Sequence, residues 1–574
     1  MEAKIWPAVS LQQARAALLA PGTPFEIATV EIDGRPVKAW KNAPPTLAHV
    51  FLLSGMHAPK DFLIHEDERA TYADFRNAAL TLAARLREDG VGPGDRVAIA
   101  MRNLPEWPVA FFATVLLGAI AVPLNAWWTG AELEYGLTDS GAKVLIVDGE
   151  RWSRIAPHAP NCPELRTIYV SRAEGDLGSA RRLEDVLGAV NAWRDLPDAA
   201  PVQADITPDT PAAIFYTSGT TGKPKGALGT HRNSVHSFVS AMFSRATAYV
   251  RRGEAPPELD PTGPQKGVLV SIPFFHTTGF NAGLIPLMMV GGKVVMQRRF
   301  EPEEAYRLIE RERLTNAGGV PAIAIALTEH PARASYELSS LESISYGGAP
   351  PPQALVRRLK EVFPHALPGT GWGMTETSAT HTHHQGEDYL NRPGSCGPAM
   401  PVCEVKVIGP GGETLPVGEV GELCAYGPNV VKGYWNKPED TGKTFVDGWV
   451  RTGDLARIDD EGFVFIVDRA KDIIIRGGEN IASAEVENAL FDHPDVIDAA
   501  VVPRAHPLFG EEPVAVVTLR EGASVDEAAL KAHVRERLAS FKVPAAIRFE
   551  RDVLPRNANG KIVKTELRKL FEEA

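Results

Sequence analysis

The spacing of apolar positions divides the chain into stretches of different period. From Thr71 to Asp89 apolar residues recur every three or four positions, which predicts an amphipathic helix. Arg96–Ala100 and Lys143–Val147 are short apolar runs and read as strands. Trp107 to Leu124 is the one long apolar run. It is bracketed by Pro108 and Pro123, contains Gly118, and is too short for a membrane span, so a buried helix passing into a buried strand is expected. Leu196 to Pro211, rich in Pro, Ala and Asp, reads as a connector. Alternation resumes after Tyr216, with strands expected at Val268–Ile272 and Gly292–Met296 and a helix at Pro302–Arg313. Between Pro393 and Val467 short β-type runs are separated by Gly-Pro and Gly-Gly turns. The last hundred or so residues change again: strands are expected at Val496–Val502 and Pro513–Leu519. Ser524 and Glu527 form a capping-box pattern ahead of the helical face Leu530, Val534 and Leu538. The pattern predicts an α/β chain: stacked α/β units, then a smaller β-rich unit, then a compact α+β unit.

A length of 574 residues is too great for one core, so two to four units are expected. The formal charge of −12 argues against nucleic acid as a partner and requires any anionic ligand to be held by local basic groups. The four cysteines, Cys162, Cys396, Cys403 and Cys424, are scattered without a CxxC pair, as expected of reduced thiols. The first residues carry no basic stretch followed by an apolar one, so no signal peptide is visible and a cytoplasmic location is expected.

Five segments carry candidate chemistry. Tyr216-Thr217-Ser218-Gly219-Thr220-Thr221-Gly222-Lys223-Pro224-Lys225-Gly226 follows an apolar strand-like run. Its glycines allow close backbone approach, its hydroxyls donate, and its ammonium groups offset anionic charge, as a polyphosphate requires. It is not a Walker A loop, because Pro224 follows Lys223 where that loop has Ser or Thr. Gly371-Trp372-Gly373-Met374-Thr375-Glu376-Thr377 combines glycines, an aromatic stacking face and a carboxylate able to hold a hard cation. In Thr452-Gly453-Asp454 a carboxylate after a tight turn can accept from two hydroxyls. Asp468 to Asn480 is a charged knot that includes Arg469, Lys471 and Gly477-Gly478. Pro555 to Ile562 places Lys561 after a glycine turn near the C-terminus.

In this order the five segments, with Gly347-Gly348-Ala349-Pro350, resemble the signature motifs of the acyl-adenylate-forming enzymes, which include acyl- and aryl-CoA synthetases, adenylation domains and beetle luciferases. The resemblance covers nearly the whole chain. It implies an N-terminal AMP-binding domain over 1–468, a hinge at 469–471 and a mobile α+β domain over 472–574. It further implies that Thr217, Ser218, Gly219, Thr220, Thr221 and Lys225 surround the ATP phosphates. Gly348, Ala349, Pro350 and Trp372 would lie along adenine, Asp454 would accept from the ribose, and Arg469 would contact the nucleotide. Glu376 would bind Mg²⁺, Thr375 would touch the α-phosphate, and Lys561 would neutralise the substrate carboxylate and α-phosphate. Lys471, Gly477 and Gly478 would serve the second, thiol-dependent step. This chain departs from the family pattern in having Trp372 where Tyr is more frequent, Ser483 in place of Pro, and Asn559 before the glycine.

The implied activity is ATP- and Mg²⁺-dependent conversion of a monocarboxylic acid, fatty or aryl, to acyl-AMP and then to a thioester with coenzyme A. The alternative is delivery of the acyl group to a carrier protein. A luciferase-like oxygenase shares the motifs, and a non-catalytic nucleotide-binding regulator is the reading of a different class. Pro273-Phe274-Phe275-His276-Thr277-Thr278-Gly279 resembles the segment that borders the acyl site, with His276 as its gate. No acid occurs between Pro273 and Val290 to balance an ammonium, so amino acids are not expected as substrates. Phe274, Phe275, Phe280, Leu284 and Ile285 are expected to make that region an apolar pocket. His381-Thr382-His383-His384 lacks the accompanying ligands of a metal site.

Overall fold

The structure is a computed structural model that describes residues 6–201, 204–217, 223–258, 263–349, 351–557 and 560–571. Two large sheets form its N-terminal part. The first runs, in spatial order, Gly226–Thr230, Pro211–Tyr216, Ile120–Pro123, Arg96–Ala100, Val144–Asp148, Thr167–Ser171 and Arg181–Arg182. All neighbours are parallel except the first pair, an antiparallel hairpin whose tip is the Gly- and Thr-rich loop. The second runs Thr382–Gln385, Leu367–Trp372, Ser343–Tyr346, Asn316–Gly319, Gly267–Val270, Lys293–Met296, Asp61–His65 and Glu68–Thr71. It is parallel inside and antiparallel at both edges.

The apolar run becomes the helix Glu106–Leu116, buried on every side, followed by the strand Ile120–Pro123. Trp107 stacks on Phe111 at 5.4 Å, and the pair belongs to a core shared by both sheets. The amphipathic stretch forms the helix Tyr72–Glu88. Thr71 and Asp74 close its N-terminus reciprocally, and Tyr72, Phe75, Ala79, Leu82 and Leu86 face inward. The strand expected over Val268–Ile272 stops at Val270. Beyond it Asn103 takes over the backbone, donating to the Ile272 carbonyl at 3.0 Å and accepting from Phe274 N–H at 2.8 Å.

Five antiparallel strands, Glu404–Ile408, Gly421–Tyr426, Phe445–Val446, Trp449–Ile458 and Val464–Arg469, make the β-rich unit. Residues 474–571 fold around two further cores of their own. Their sheet pairs Gly510–Leu519 with Val496–His506 over ten register positions and carries the hairpin Ile474–Arg476/Glu479–Ile481 and the strand Ile547–Glu550. The helix expected after Ser524 begins at Glu527, and its cap is Asp526, which accepts from Ala529 N–H at 2.8 Å. Glu527 instead pairs with Lys531, and Leu538 lies beyond the helix end at Arg535. An acid two residues nearer the helix displaces the serine as cap because its carboxylate reaches the N3 donor.

The C-terminal unit sits on the helices Pro321–Glu329 and Gln353–Val362. Arg358 lies over the Phe491 ring at 4.5 Å, Arg357 pairs with Asp492 at 3.2 Å, and Arg520 pairs with Glu329. A methyl group on Gly560 would meet Val320, so the turn bearing Lys561 is pressed against the N-terminal part.

Candidate active site

Four parallel strands of the eight-stranded sheet end on one side, and candidate residues follow each. His276 lies beyond Gly267–Val270, Val320 beyond Asn316–Gly319, Gly347 and Gly348 beyond Ser343–Tyr346, and Trp372 at the end of Leu367–Trp372. The carboxyl edge of a parallel sheet, at the point where strand order reverses, is where an open α/β fold leaves a crevice. Here the order reverses at Gly267–Val270, flanked by Lys293–Met296 and Asn316–Gly319.

Backbone geometry beyond Trp372 is tightly specified. A methyl group on Gly373 would lie 1.5 Å from the Ala379 carbonyl oxygen, so only glycine fits. Thr375–Thr377 forms a single 3₁₀ turn that buries Thr375 and Glu376. Ser378 and Ala379 both adopt positive φ, 51° and 83°, which persists only where surrounding contacts over-determine it. Those contacts come from side chains. Asn281 donates to the Ser378 carbonyl at 3.1 Å, and Asn429 donates to the carbonyls of Thr377 and Thr380 at 2.8 and 3.0 Å.

Glu376 accepts a 2.6 Å hydrogen bond from the Tyr434 hydroxyl. Burial raises its carboxyl above the ordinary range, opposed by that hydrogen bond and by the charges of Lys561 and Arg469. A buried carboxylate in this condition is stabilised by a cation. One carboxylate is also what a Mg²⁺ ion shared with substrate phosphates asks of a protein, so the residue fits that role. Tyr434 and Asn429 carry no sequence signal in isolation. Tyr434 reaches Glu376 because Lys432 and Trp435 bond to Leu228 and Gly226, on the strand leaving the phosphate loop.

Thr217 and Lys225 close the neck of that loop through a Thr217 N–H to Lys225 carbonyl bond of 2.9 Å. Ser218, Gly219, Thr220, Thr221 and Pro350 lie outside the described residues. The Lys225 ammonium is paired with Asp440 at 2.7 Å and lies over the Tyr434 ring at 5.2 Å. This is the ammonium expected on the phosphates. Gly348 has φ +80°, and Ala349 follows it in the same bend.

Asp454, buried, faces Arg469 across an antiparallel register, with the guanidinium Nε 3.3 Å from Oδ1. Trp372 Nε1 donates to its other oxygen at 2.8 Å. Lys561 joins this group from the C-terminal unit. Its turn is braced by Asn557, which accepts from Lys561 N–H at 3.1 Å, and by Arg556, which donates to the Gly560 carbonyl and pairs with Asp498. The Lys561 ammonium is pushed down to about 8, first by burial and then by the Arg469 charge, against the opposing pull of Asp454 and Glu376. His276 is held neutral at about 4 by burial, and next by the Lys561 charge. The fold thus brings His276, Glu376, Asp454, Arg469 and Lys561 within electrostatic reach of one another.

Other candidates are placed elsewhere. Lys471 is exposed in the turn closed by Asp472 N–H on the Arg469 carbonyl at 2.9 Å. Gly477 and Gly478, at φ 58° and 90°, form the exposed tip of the C-terminal hairpin, where Gly477 N–H donates to the Phe509 carbonyl of the same unit at 2.8 Å. Phe274, Phe280, Leu284 and Ile285, expected as pocket lining, are core residues instead. Phe280 lies 4.0 Å from the Phe111 ring centroid. His381, His383 and His384 bond separately to the Glu404 carbonyl, the Ser244 hydroxyl and the Ser395 carbonyl. Among the described residues no cluster suited to hold a metal ion occurs, and no helix is long and apolar enough to cross a membrane.

Comparison with known proteins places this geometry. The model of the AMP-binding enzyme family matches residues 54–435, and that of the AMP-binding enzyme C-terminal domain matches 485–561. The chain is 37% identical over 507 residues to a feruloyl-CoA synthase from Amycolatopsis sp., covering 88% of this chain and 95% of that one. An anthranilate CoA ligase solved with anthranoyl-AMP superposes with a TM-score of 0.80 at 26% identity, over 91% of this chain and 97% of that one. ATP-bound MatB from Rhodopseudomonas palustris superposes with a TM-score of 0.77 at 30% identity, over 91% and 99%. With its crevice, its buried carboxylates and a lysine delivered by a second unit, the chain belongs to the AMP-binding enzymes, the acyl-adenylate-forming superfamily.

Proposed function

We propose that this protein is an AMP-forming acid–thiol ligase that activates an aryl-type monocarboxylic acid with ATP and transfers the acyl group to coenzyme A. The carrying observation is the convergence of Lys561 on Glu376, Asp454, Arg469 and His276. A carboxylate attacking the α-phosphorus of ATP brings two anions together, and an ammonium between them lowers that repulsion in the transition state. Lys561 supplies this charge, while Thr375 lies next to Glu376 at the same turn. Thr217 and the hydroxyl-rich segment that follows it in sequence would bind the polyphosphate, and Gly348, Ala349 and Trp372 would border the base. Asp454 accepts from the ribose and Arg469 orients the nucleotide. Mg²⁺ held on Glu376 would neutralise phosphate charge when bound. Neutral His276, beside Lys561, borders the acid.

In the thiol step the carboxylate charge that Lys561 faced has been consumed in the anhydride, so the ammonium no longer stands between two anions and can leave. Residues 469–471 are the joint about which the C-terminal unit turns, and Gly477-Gly478 enter with the thiol. The aryl preference is supported by the feruloyl and anthranilate relatives, and the absence of any acid from Pro273 to Val290 to pair an ammonium argues against amino acids. A cytoplasmic location agrees with these substrates. AMP release and thioester formation measured with acetate, octanoate, a long-chain fatty acid, a cinnamate-type acid, an anthranilate-type acid and several amino acids tests the reading. Turnover of the aryl acids to CoA thioesters is expected. Preferred turnover of acetate, of either fatty acid or of any amino acid would overturn the substrate assignment.

A further inference from the structure

Trp372 does more in this fold than offer a stacking face. Its indole N–H points across the gap between the eight-stranded sheet and the β-rich unit and donates to Asp454 Oδ2 at 2.8 Å. Arg469 holds Oδ1 from the neighbouring strand at 3.3 Å. The two carboxylate oxygens are therefore anchored by donors from two different elements, which fixes the plane of the group. Each ionised oxygen has about two acceptor positions, so one remains on each. Two acceptors side by side suit a pair of vicinal hydroxyls. The indole is itself held in place. The Trp372 backbone N–H donates to Thr382 Oγ1 at 3.2 Å, the Thr382 hydroxyl donates to the Cys396 carbonyl at 2.7 Å, and the ring packs against the core of the β-rich unit. An indole nitrogen is a donor only, so it never competes for a hydroxyl proton.

We infer that Trp372 is a positioning residue for Asp454, coupling the adenine face to ribose recognition and setting the preference for ribonucleotide over deoxyribonucleotide. This rests on the proposed contact between Asp454 and the ribose. Trp372→Phe keeps an aromatic face and removes the donor. Pyrophosphate exchange is measured with ATP, 2′-deoxy-ATP and 3′-deoxy-ATP in the full-length wild-type protein, Trp372→Phe, Asp454→Ala and the double variant. The wild type is expected to favour ATP. Trp372→Phe is expected to raise KM for ATP about tenfold, the effect of losing one hydrogen bond to a charged group. KM for the deoxynucleotides and the acid, and kcat with ATP, should stay within a few-fold of wild type. On the Asp454→Ala background Trp372→Phe should leave discrimination unchanged. An equal rise in KM for all three nucleotides, or no rise for any, would overturn the inference while leaving the ribose contact standing. A wild type that does not discriminate among the three would overturn both.

Discussion

At the scale of single residues, the decisive quantity is the charge on Lys561. An exposed lysine stays protonated far above neutrality, but this ammonium is pushed down to about 8. In the proposed reaction adenylation uses the protonated form, so kcat/KM for pyrophosphate exchange is expected to decline as pH rises through about 8, where the free enzyme loses that proton. Lys561→Ala should reduce the exchange reaction by about a hundredfold or more while leaving thioester formation from a supplied acyl-AMP largely intact. Equal loss of both half-reactions would count against the assigned role. Tyr434 is testable in the same way. Its hydrogen bond opposes the upward push of burial on Glu376, so Tyr434→Phe should raise the Glu376 carboxyl further and move the acidic limb of the exchange profile to higher pH. An unmoved limb would separate Tyr434 from the chemistry.

At the scale of elements, the turn after the strand Leu367–Trp372 is the most constrained piece of backbone in the site. The Gly373→Ala methyl group would collide with a carbonyl rather than with a flexible side chain. That carbonyl belongs to Ala379, next to Ser378, and both residues are already at positive φ. The structure cannot relax without breaking the bonds from Asn281 and Asn429. Gly373→Ala is therefore expected to remove most activity and lower Tm, by an amount typical of a few kcal/mol of backbone strain. An active variant of unchanged Tm would show that the turn has slack. The hinge is a second element with a clear test. Lys471→Pro fixes one φ and removes one N–H in the turn between the two units. Exchange should survive, because Lys561 is already docked, whereas formation of the CoA thioester should fall by orders of magnitude. Both rates near wild type would remove the hinge assignment.

At the scale of the whole molecule, six enclosed histidines couple stability to pH. His231, His276, His381 and His383 are lowered to about 4, and His236 and His384 to about 3, by burial in each case. Their ordinary value is 6.5, so the unfolded chain binds protons between that pH and about 4 that the folded chain does not. The stability they confer is complete above about 6.5 and is lost as pH falls toward their folded values. Thermal unfolding from pH 7.5 to 5 should show Tm dropping once pH passes below about 6.5. A flat Tm would mean that these rings find proton acceptors on charging.

Much was decided by local sequence. The period of Thr71–Asp89 determined a helix and the short apolar run Arg96–Ala100 a strand, because both patterns are properties of the segment itself. Glycines such as Gly373 and Gly478 marked backbone that no other residue can follow, and the order of the motifs identified the family. The capping of Glu527–Arg535 was misread by two positions because Ser524 and Asp526 offer similar chemistry, and only backbone direction chooses between them. What tertiary structure alone decided is which distant groups meet. Tyr434 reaches Glu376, 58 residues away in sequence, Asp440 claims Lys225, and Trp372 grips Asp454 across two sheets. It also turned Phe274, Phe280, Leu284 and Ile285 from expected pocket lining into core. Apolar composition says that a side chain leaves water, but the packing of neighbouring elements decides whether it faces a substrate or another phenylalanine.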